Sequence, residues 1–399
     1  MAKAMSANDF FGVETQVADI GLIVVPGAEE LANKIDAHLV RWAHELGMKK
    51  DTFIIPSICP RFQSGDAKGL IQESLRGDDL YFVVDPGNYS LTYKLFGCVN
   101  HMSPDDHFAN LKRLIQAASG KGYRCTVIMP SLYGGRQHRR TARESLDCAV
   151  ALQELQAMGV NNVITFDAHD PRVQNAVPLM GFDNVMPTYQ VLKAMLKHMP
   201  DLKLDAEHFM VISPDEGAMQ RNMYYSSVLG VNLGMFYKRR DYSRVVDGRN
   251  PIVAHEYLGE SVEGKDVFIA DDIIASGESM LDIAYELKKR GARRIFANAT
   301  YALFTSGLEK FDKAYEEGAI SAVLGTNLTY RNPELCAREW FFEVDVSKYI
   351  AYFIASIESA HYGWLFAAFV AILFVLAFIL VRRQARHDRY INNYDAEYL

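Results

Sequence analysis

The chain has 399 residues, of which 49% are hydrophobic, and its formal net charge is −7 at pH 7. This length and apolar content predict more than one domain, and the acidic balance argues against non-specific nucleic-acid binding. The five cysteines are scattered and form no C-x-x-C pair, which argues against a disulfide framework or a structural zinc site and favours a reducing compartment.

Apolar runs alternate with amphipathic segments along the chain. Residues 20–25 predict a strand, and one helical face follows at Leu31, Ile35, Leu39, Trp42 and Leu46. Further strands are predicted at residues 80–84, 125–129, 162–166, 209–213, 233–237, 267–270 and 294–300. Helices are predicted at residues 106–118, 143–158, 189–199, 216–229 and 280–290. This alternation predicts an α/β fold with mostly parallel sheets covered by helices.

Residues 267–281, VFIADDIIASGESML, form the most informative motif. An apolar strand ends in Asp271 and Asp272, a loop of small residues follows, and a helix begins. Loop amides and a helix N-terminus bind phosphate, and carboxylates at the carboxyl end of a parallel strand lie where such sheets bind ligands. The motif therefore predicts a site for a phosphorylated sugar, although the segment alone is also compatible with a solvated turn.

This motif resembles the phosphoribosyl-diphosphate (PRPP) loop of type I phosphoribosyltransferases and of PRPP synthetases. Segments that resemble only the synthetases occur in that family's order at residues 128–147, 163–174, 211–221 and 235–244. The resemblance extends from about residue 20 to residue 357. It implies two type I phosphoribosyltransferase-like domains, residues 1–186 and 187–357, with a boundary near Met186–Pro187 and the active site between them.

The resemblance implies a ribose-phosphate diphosphokinase, which moves the diphosphoryl group of ATP to the 1-hydroxyl of ribose 5-phosphate and releases AMP. Such a transfer needs cations and positioned donors, and the family pattern gives this role to Lys238 and Arg240. Without the resemblance, a solvated basic turn is the better interpretation of this segment.

The family pattern also implies the sugar-phosphate contacts. Asp271 and Asp272 would hold the ribose hydroxyls. The 5-phosphate would be bound by Ser276, Gly277 and Ser279.

For ATP, the matching residues are Arg136 and Gln137, while Phe62 and Asp66 would reach the adenine from a neighbouring subunit. The chain is therefore expected to form a homo-oligomer, which in this family is a hexamer.

A magnesium ion is expected because His169 and Asp215 match the metal-associated residues of the family. Magnesium keeps several waters and takes only one or two protein ligands beside nucleotide phosphates. Two side chains from this protein are therefore a sufficient set.

Four positions depart from the family pattern. Ser64, His138 and Ala275 stand where aspartate is common, and Glu278 replaces a common glycine. A glutamate beside a phosphate is electrostatically unfavourable unless its side chain points outward.

Residues 362–381 contain no charged side chain, and roughly 20 apolar residues are the length of a transmembrane helix. The segment predicts a membrane span within a tail of residues 358–399; a buried core helix is the alternative. Arginines after the span favour a cytoplasmic C-terminus. Access to ATP and the lack of a signal peptide instead favour catalytic domains in the cytoplasm. We therefore expect the catalytic domains to be cytoplasmic.

Three other functions remain open from the sequence. A phosphoribosyltransferase would use the same sugar-phosphate loop but would not need the segments around Arg136 and Lys238. A catalytically silent regulatory paralogue should have lost Lys238, Arg240 or His169, and all three are present. A membrane scaffold would use the domains only for assembly.

Overall fold

The computed structural model describes residues 19–118, 120–240 and 252–358, except for the side chains of residues 238–240, 252–255 and 358. The described chain forms two compact units. Unit 1 consists of residues 19–187, 327–330 and 345–358, and unit 2 of the described parts of 188–326 and 331–344. The chain enters unit 2 after Pro187 and later returns to unit 1 at residues 327–330 and again at residues 345–358. The predicted second domain, residues 187–357, was continuous and contained no such returns.

The helices follow the predicted alternation with strands. In chain order they are α1 (Glu29–Glu45), α2 (Pro104–Ala118), α3 (Asp147–Ala157), α4 (Thr188–His198), α5 (Met219–Leu229), α6 (Glu278–Lys289), α7 (Glu309–Glu316), α8 (Pro333–Cys336) and α9 (Ser347–Glu358). A 3₁₀ helix spans Pro171–Ala176.

Unit 1 is built on a parallel sheet. Its strands are β1 (Ile20–Val24), β2 (Ile54–Ile55), β3 (Ser57–Ile58), β4 (Leu70–Ile71), β5 (Asp79–Val83), β6 (Thr92–Leu95), β7 (Cys98–His101), β8 (Arg124–Ile128), β9 (Asn162–Phe166) and β10 (Gly181–Val185). The sheet has the order β10–β9–β8–β5–β1–β2, with parallel neighbours throughout. Two small antiparallel pairs, β3 with β4 and β6 with β7, lie outside it.

Helix α1 packs most of its predicted apolar face into unit 1, whereas Leu46 lies just beyond the helix and is exposed. Leu31, Ile35 and Leu39 are buried, because residues spaced by three or four lie on one side of a helix. Trp42 is half-buried and stacks on Tyr352 of α9, with ring centroids 4.6 Å apart. Helix α9 therefore completes unit 1, although it is more than 300 residues away in the chain.

Unit 2 contains a second, mostly parallel sheet. Its strands are β11 (Phe209–Ser213), β12 (Asn232–Arg240), β13 (Ile252–Leu258), β14 (Asp266–Ile274), β15 (Arg294–Ala302), β16 (Ala322–Thr326) and β17 (Phe341–Val344). Their order is β13–β12–β11–β14–β15–β16–β17, and only the edge pair β12–β13 is antiparallel among these described strands. The predicted α/β class with mostly parallel sheets is confirmed.

Several predicted boundaries were wrong. Strand β14 continues through both aspartates, because Asp271 pairs with Ala299 and the pairing extends to Ile274. Helix α3 begins at Asp147 rather than at Arg143. The strands that were not predicted are β2, β3, β4, β6, β7, β10, β13, β16 and β17.

The predicted membrane span at residues 362–381 lies outside the described residues and stays a prediction. Within residues 19–118, 120–240 and 252–358, none of the helices combines the length and the apolarity that crossing a bilayer requires.

Candidate sugar-phosphate and nucleotide sites

The carboxyl end of β14 presents Asp271 and Asp272. A buried asparagine, Asn222 of α5, fixes the strand just before them: its side-chain amide donates to the Ala270 carbonyl over 2.8 Å and accepts from the Ala270 amide over 3.2 Å. Because both backbone groups of one residue are held by a single side chain, the strand end has little freedom to shift. Asn222 was not among the residues predicted to form the site.

The two aspartates share a cationic neighbour, Arg221. Its guanidinium lies 3.4 Å from the Asp271 carboxylate and 3.9 Å from that of Asp272. Burial raises the pKa of Asp271, the charges of Asp272 and Asp215 act in the same direction, and Arg221 opposes them. The three predicted acids of unit 2 thus influence one another, as expected for residues near the carboxyl ends of neighbouring parallel strands.

Arg221 had no assigned role in the sequence analysis, although it ends the segment VISPDEGAMQR at residues 211–221. The sequence feature that could have identified Arg221 is its position in the first turn of α5. This helix follows Asp215, which in turn follows β11. Asp272 is buried and Asp271 is half-buried. Two acids withdrawn from water in this way need a nearby cation, and this arginine was the candidate within the segment.

The loop after β14 forms a cradle at the N-terminus of α6. Gly277 caps the helix with φ +77°, and its carbonyl accepts the first helical hydrogen bond, from the Leu281 amide. The amides before that bond have no acceptor within the helix, so they point toward the space in front of it. Ser276 is half-buried and Ser279 is exposed. Backbone donors and two hydroxyls are therefore available for an anion.

Gly277 is also required by packing. A Cβ atom at this position would lie 2.3 Å from Cε2 of Phe311, a fully buried ring of α7. The positive φ and this close approach both favour glycine.

Glu278 makes an ion pair with Lys310 of α7. Both side chains are more than half exposed, and the ammonium group holds the pKa of the glutamate below its usual range. Its charge beside the cradle is therefore partly compensated.

Unit 1 brings two histidines together at the carboxyl end of its sheet. His169 follows β9 and is exposed, and its ring centroid lies 5.3 Å from that of His138. His138 Nε2 is 3.4 Å from the carboxylate of Asp170. Burial lowers the pKa of His138, while Asp170 opposes this effect. The histidine that departs from the family pattern thus lies beside the predicted metal-associated histidine.

Arg136 and Gln137 are exposed on the loop after β8. The Gln137 amide donates to the Gly134 carbonyl over 2.7 Å, and Gly134 has φ +66°. This tight turn places both polar side chains on the surface at the same edge of the sheet as His169.

Phe62 and Asp66 lie on the short loop between Arg61 and Ala67, whose ends form an antiparallel bridge. The Phe62 amide donates to the Asp66 carbonyl over 2.7 Å. Both side chains are exposed. The structure describes no second chain, so their predicted contact with a neighbouring subunit stays a prediction.

Lys238 and Arg240 are part of β12, where their backbones pair with His255 and Ile252 of β13. They were predicted to follow the strand rather than to belong to it. Their side chains lie outside the described residues, so their catalytic role stays a prediction.

Comparison with known proteins identifies the family. The N-terminal domain of ribose phosphate pyrophosphokinase matches residues 20–159, and the phosphoribosyl transferase domain matches residues 186–315. A ribose-phosphate pyrophosphokinase of Vibrio vulnificus is 30% identical over 256 residues, covering 63% of this chain and 72% of the relative. The chain belongs to the ribose-phosphate pyrophosphokinase family.

Other members support this assignment. The pyrophosphokinase of Pasteurella multocida is 29% identical over 285 residues, covering 69% of this chain and 80% of the relative. The crystal structure of phosphoribosylpyrophosphate synthetase from Mycobacterium smegmatis shares the fold, with a TM-score of 0.67 and 18% identity over 85% of this chain and 98% of that one. The predicted family is confirmed, and a phosphoribosyltransferase is not favoured because the N-terminal match is to the pyrophosphokinases.

Magnesium binding by His169 and Asp215 stays a prediction. In the described ranges, no group of three or more His, Cys, Asp or Glu side chains is arranged to hold a metal. Asp215 is half-buried, with its carboxylate accepting from the Ala218 amide over 3.1 Å, and His169 is exposed. Single, accessible donors suit magnesium, which keeps most of its waters.

Proposed function

We propose that this member of the pyrophosphokinase family transfers the diphosphoryl group of ATP to the 1-hydroxyl of ribose 5-phosphate, giving PRPP and AMP. One observation carries the proposal: the chain joins the sugar-phosphate arrangement of β14 and α6 to the N-terminal domain of the pyrophosphokinases. A phosphoribosyltransferase would need only the former.

In the proposed complex, Asp271 and Asp272 accept hydrogen bonds from the vicinal ribose hydroxyls. Ionised carboxylates make such bonds stronger than neutral acceptors do, and Arg221 favours the ionised form of Asp271. The 5-phosphate is bound by the backbone donors at the start of α6 together with Ser276 and Ser279. The sugar is thereby oriented through both ends.

The transferred diphosphoryl group carries several negative charges, so cationic groups are needed to stabilise it during transfer. We assign this role to Lys238 and Arg240, while Arg136 and Gln137 bind the nucleotide. His169 and Asp215 would hold magnesium, which neutralises charge on the nucleotide phosphates when it is bound. These assignments rest on the resemblance of the motifs to those of the family, and all of these residues except His169 lie within the matched ranges 20–159 and 186–315.

The test uses the purified chain with magnesium, ribose 5-phosphate and ATP labelled in its β-phosphate. We expect equimolar AMP and PRPP, with the label in PRPP. Lys238→Ala should lower kcat by about 10²- to 10³-fold, the cost of losing one donor to a developing charge. Arg239→Ala removes the same charge from the neighbouring position and is the matched control.

Three results would contradict the proposal. AMP release that does not depend on ribose 5-phosphate would indicate hydrolysis of ATP. Absence of AMP from a folded protein would favour the silent paralogue or the scaffold. An equal loss of kcat in Lys238→Ala and Arg239→Ala would show that Lys238 has no specific role.

Assembly is part of the proposal because Phe62 and Asp66 are expected to complete a neighbouring subunit's nucleotide site. Mixing inactive Phe62→Ala chains with inactive Lys238→Ala chains should then restore part of the activity, since some sites draw intact residues from both. A fully active monomer would rule out this arrangement.

The apolar tail is proposed to anchor the protein in a membrane with its catalytic domains in the cytoplasm. Ending the chain after Glu358 retains α9, the last described helix of unit 1. This truncated protein should be active and recovered in the supernatant, whereas the full chain should resist an alkaline carbonate wash. Recovery of the full chain in the supernatant would refute the anchor.

A further inference from the structure

A β-hairpin outside the main sheets of the protein packs against the loop that carries Phe62 and Asp66. The hairpin consists of β6 and β7 and turns at Phe96 and Gly97, whose φ angles are +48° and +79°. Two successive positive φ angles are typical of a type I′ hairpin turn. Because the hairpin adds nothing to either large sheet, its packing partner is the best indication of its role.

The first contact is made by Tyr93 of β6. The guanidinium of Arg61 lies 4.0 Å from the centroid of the Tyr93 ring. The same guanidinium donates to the Gly65 carbonyl over 2.7 Å and to the Asp106 carboxylate over 2.9 Å. Arg61 therefore closes the loop over residues 61–67, and Tyr93 covers the group that closes it.

The second contact is made by Leu95. Gly65 has φ +95°, and a Cβ atom there would lie 3.1 Å from Cδ1 of Leu95. The Gly65 amide in turn donates to the Phe62 carbonyl over 2.9 Å. Leu95 therefore supports the turn of the loop from one side, while the loop leaves 53% of Phe62 exposed.

We propose that the β6–β7 hairpin is a positioning element for the nucleotide-contacting loop, with Tyr93 and Leu95 as its positioning residues. The inference rests on the proposed function, in which Phe62 and Asp66 contact the adenine of ATP. A side chain that contacts a planar base must be held in place before binding, because ordering it afterwards costs affinity. The hairpin supplies this support from outside the loop.

The experiment combines hydrogen exchange of residues 61–67 with steady-state kinetics. Tyr93→Ala should accelerate exchange in this loop and raise KM for ATP about fivefold to tenfold, by loss of the cation–π contact and the order it maintains. The kcat and the KM for ribose 5-phosphate should change less than about twofold. Tyr93→Phe keeps the ring and should behave like the parent protein.

Thr92→Ala is the matched control, since Thr92 is an exposed neighbour of Tyr93 on the same strand. Leu95→Ala tests the second contact and replaces Tyr93→Ala if that variant does not fold. Unchanged exchange and unchanged KM for ATP in both alanine variants would overturn the inference. Equal effects in Thr92→Ala, or no restoration by Tyr93→Phe, would also overturn it.

The failure of the proposed function would be recognised separately. If the parent protein forms no AMP, the proposed reaction is wrong. The exchange comparison still decides whether Tyr93 and Leu95 hold the loop.

Discussion

The carboxylate of Glu278 and the ammonium group of Lys310 form an ion pair that joins the start of α6 to α7. The family resemblance implies glycine at this position, and the pair partly compensates the negative charge that Glu278 places beside the predicted phosphate cradle. The side chain of Glu278 is largely exposed, as expected for a glutamate that points outward. A substitution in the loop is thus matched by a cation on the next helix.

Removing the cation should weaken binding of ribose 5-phosphate. Lys310→Gln leaves Glu278 uncompensated, and we expect the Kd to rise by about twofold to fivefold, because ion pairs between exposed side chains are weak. Combining it with Glu278→Gln should restore the parent affinity. Calorimetric titration measures both, and Lys313→Gln on the same helix is the control. An unchanged Kd in Lys310→Gln would show that Glu278 does not act on the phosphate.

Gly277→Ala should disrupt the cradle far more strongly. The new methyl group would meet the Phe311 ring, and the residue would also adopt an unfavourable positive φ. Gly318 provides a matched control, because its φ is +69° and no atom lies within 4 Å of an added Cβ. The backbone penalty is about 1–2 kcal/mol at either position, and overpacking adds about 1–3 kcal/mol at Gly277 alone.

The measurements are the free energy of unfolding and the affinity for ribose 5-phosphate. Gly277→Ala should lower both the free energy of unfolding and the affinity for ribose 5-phosphate. Gly318→Ala should lower the free energy of unfolding less and leave the affinity unchanged. Phe311→Leu in the Gly277→Ala background should recover part of the affinity by making room. Equal behaviour of the two alanine variants would contradict the role of Phe311.

The central strands of both large sheets were predictable from the sequence, whereas β2, β10, β13, β16 and β17 of the same sheets were not. Strands buried on both faces form continuous apolar runs, and those at Asn162–Phe166 and Phe209–Ser213 have the predicted bounds. The start of α3 was misplaced because the periodic pattern continues upstream of the helix. There Thr141 Oγ1 donates to the Glu144 carboxylate over 3.1 Å, in a local turn.

Contacts between distant residues could not be predicted from local patterns. The return of residues 327–330 to unit 1 depends on Thr329, whose hydroxyl donates to the Asp85 carboxylate over 2.9 Å across 244 positions in the chain. The proximity of the predicted acids Asp215, Asp271 and Asp272 follows from neighbouring parallel strands that end at one edge of the sheet, whereas their role in binding a sugar stays a prediction. Arg221 was the candidate cation within its segment, but its contact with the aspartates could not be predicted because it depends on how α5 is oriented.

Arg221 should set the pH dependence of the sugar site. Burial and Asp272 raise the pKa of Asp271, and Arg221 acts against this rise. The ionised carboxylate accepts the sugar hydroxyls, so affinity should fall as the pH decreases through that pKa. In Arg221→Met the pKa is higher still, and the acidic limb of kcat/KM for ribose 5-phosphate should move up by about 1 pH unit or more.

The matched variant is Arg221→Lys, which keeps the positive charge. It should shift the acidic limb of kcat/KM for ribose 5-phosphate less than Arg221→Met does. A uniform loss of kcat/KM at every pH, with the limb unchanged, would mean that Arg221 binds substrate directly instead of tuning the aspartates.

Asp85 should make the stability of unit 1 depend on pH. It is buried and accepts from the Gly87 amide, the Thr329 hydroxyl and the Tyr330 amide. Burial raises its pKa from 3.8 to about 6, although these hydrogen bonds oppose the rise. A raised pKa in the folded state means that the proton is bound more tightly there than in the unfolded chain. The contribution is therefore fully present below about pH 4 and is lost as the pH rises through 6.

A difference of two pKa units corresponds to about 3 kcal/mol, so the free energy of unfolding of unit 1 should fall by about this amount between pH 4 and pH 7 relative to Asp85→Asn, which cannot ionise. Trp42 reports on unit 1 once Trp340 and Trp364 are replaced by phenylalanine, and denaturant titrations followed by its fluorescence measure the change. Asp51→Asn removes an exposed carboxylate from the same unit and should keep the parent slope. If Asp85→Asn also keeps the parent slope, the buried carboxyl group does not titrate between these pH values, and the return of residues 327–330 is not coupled to pH through Asp85.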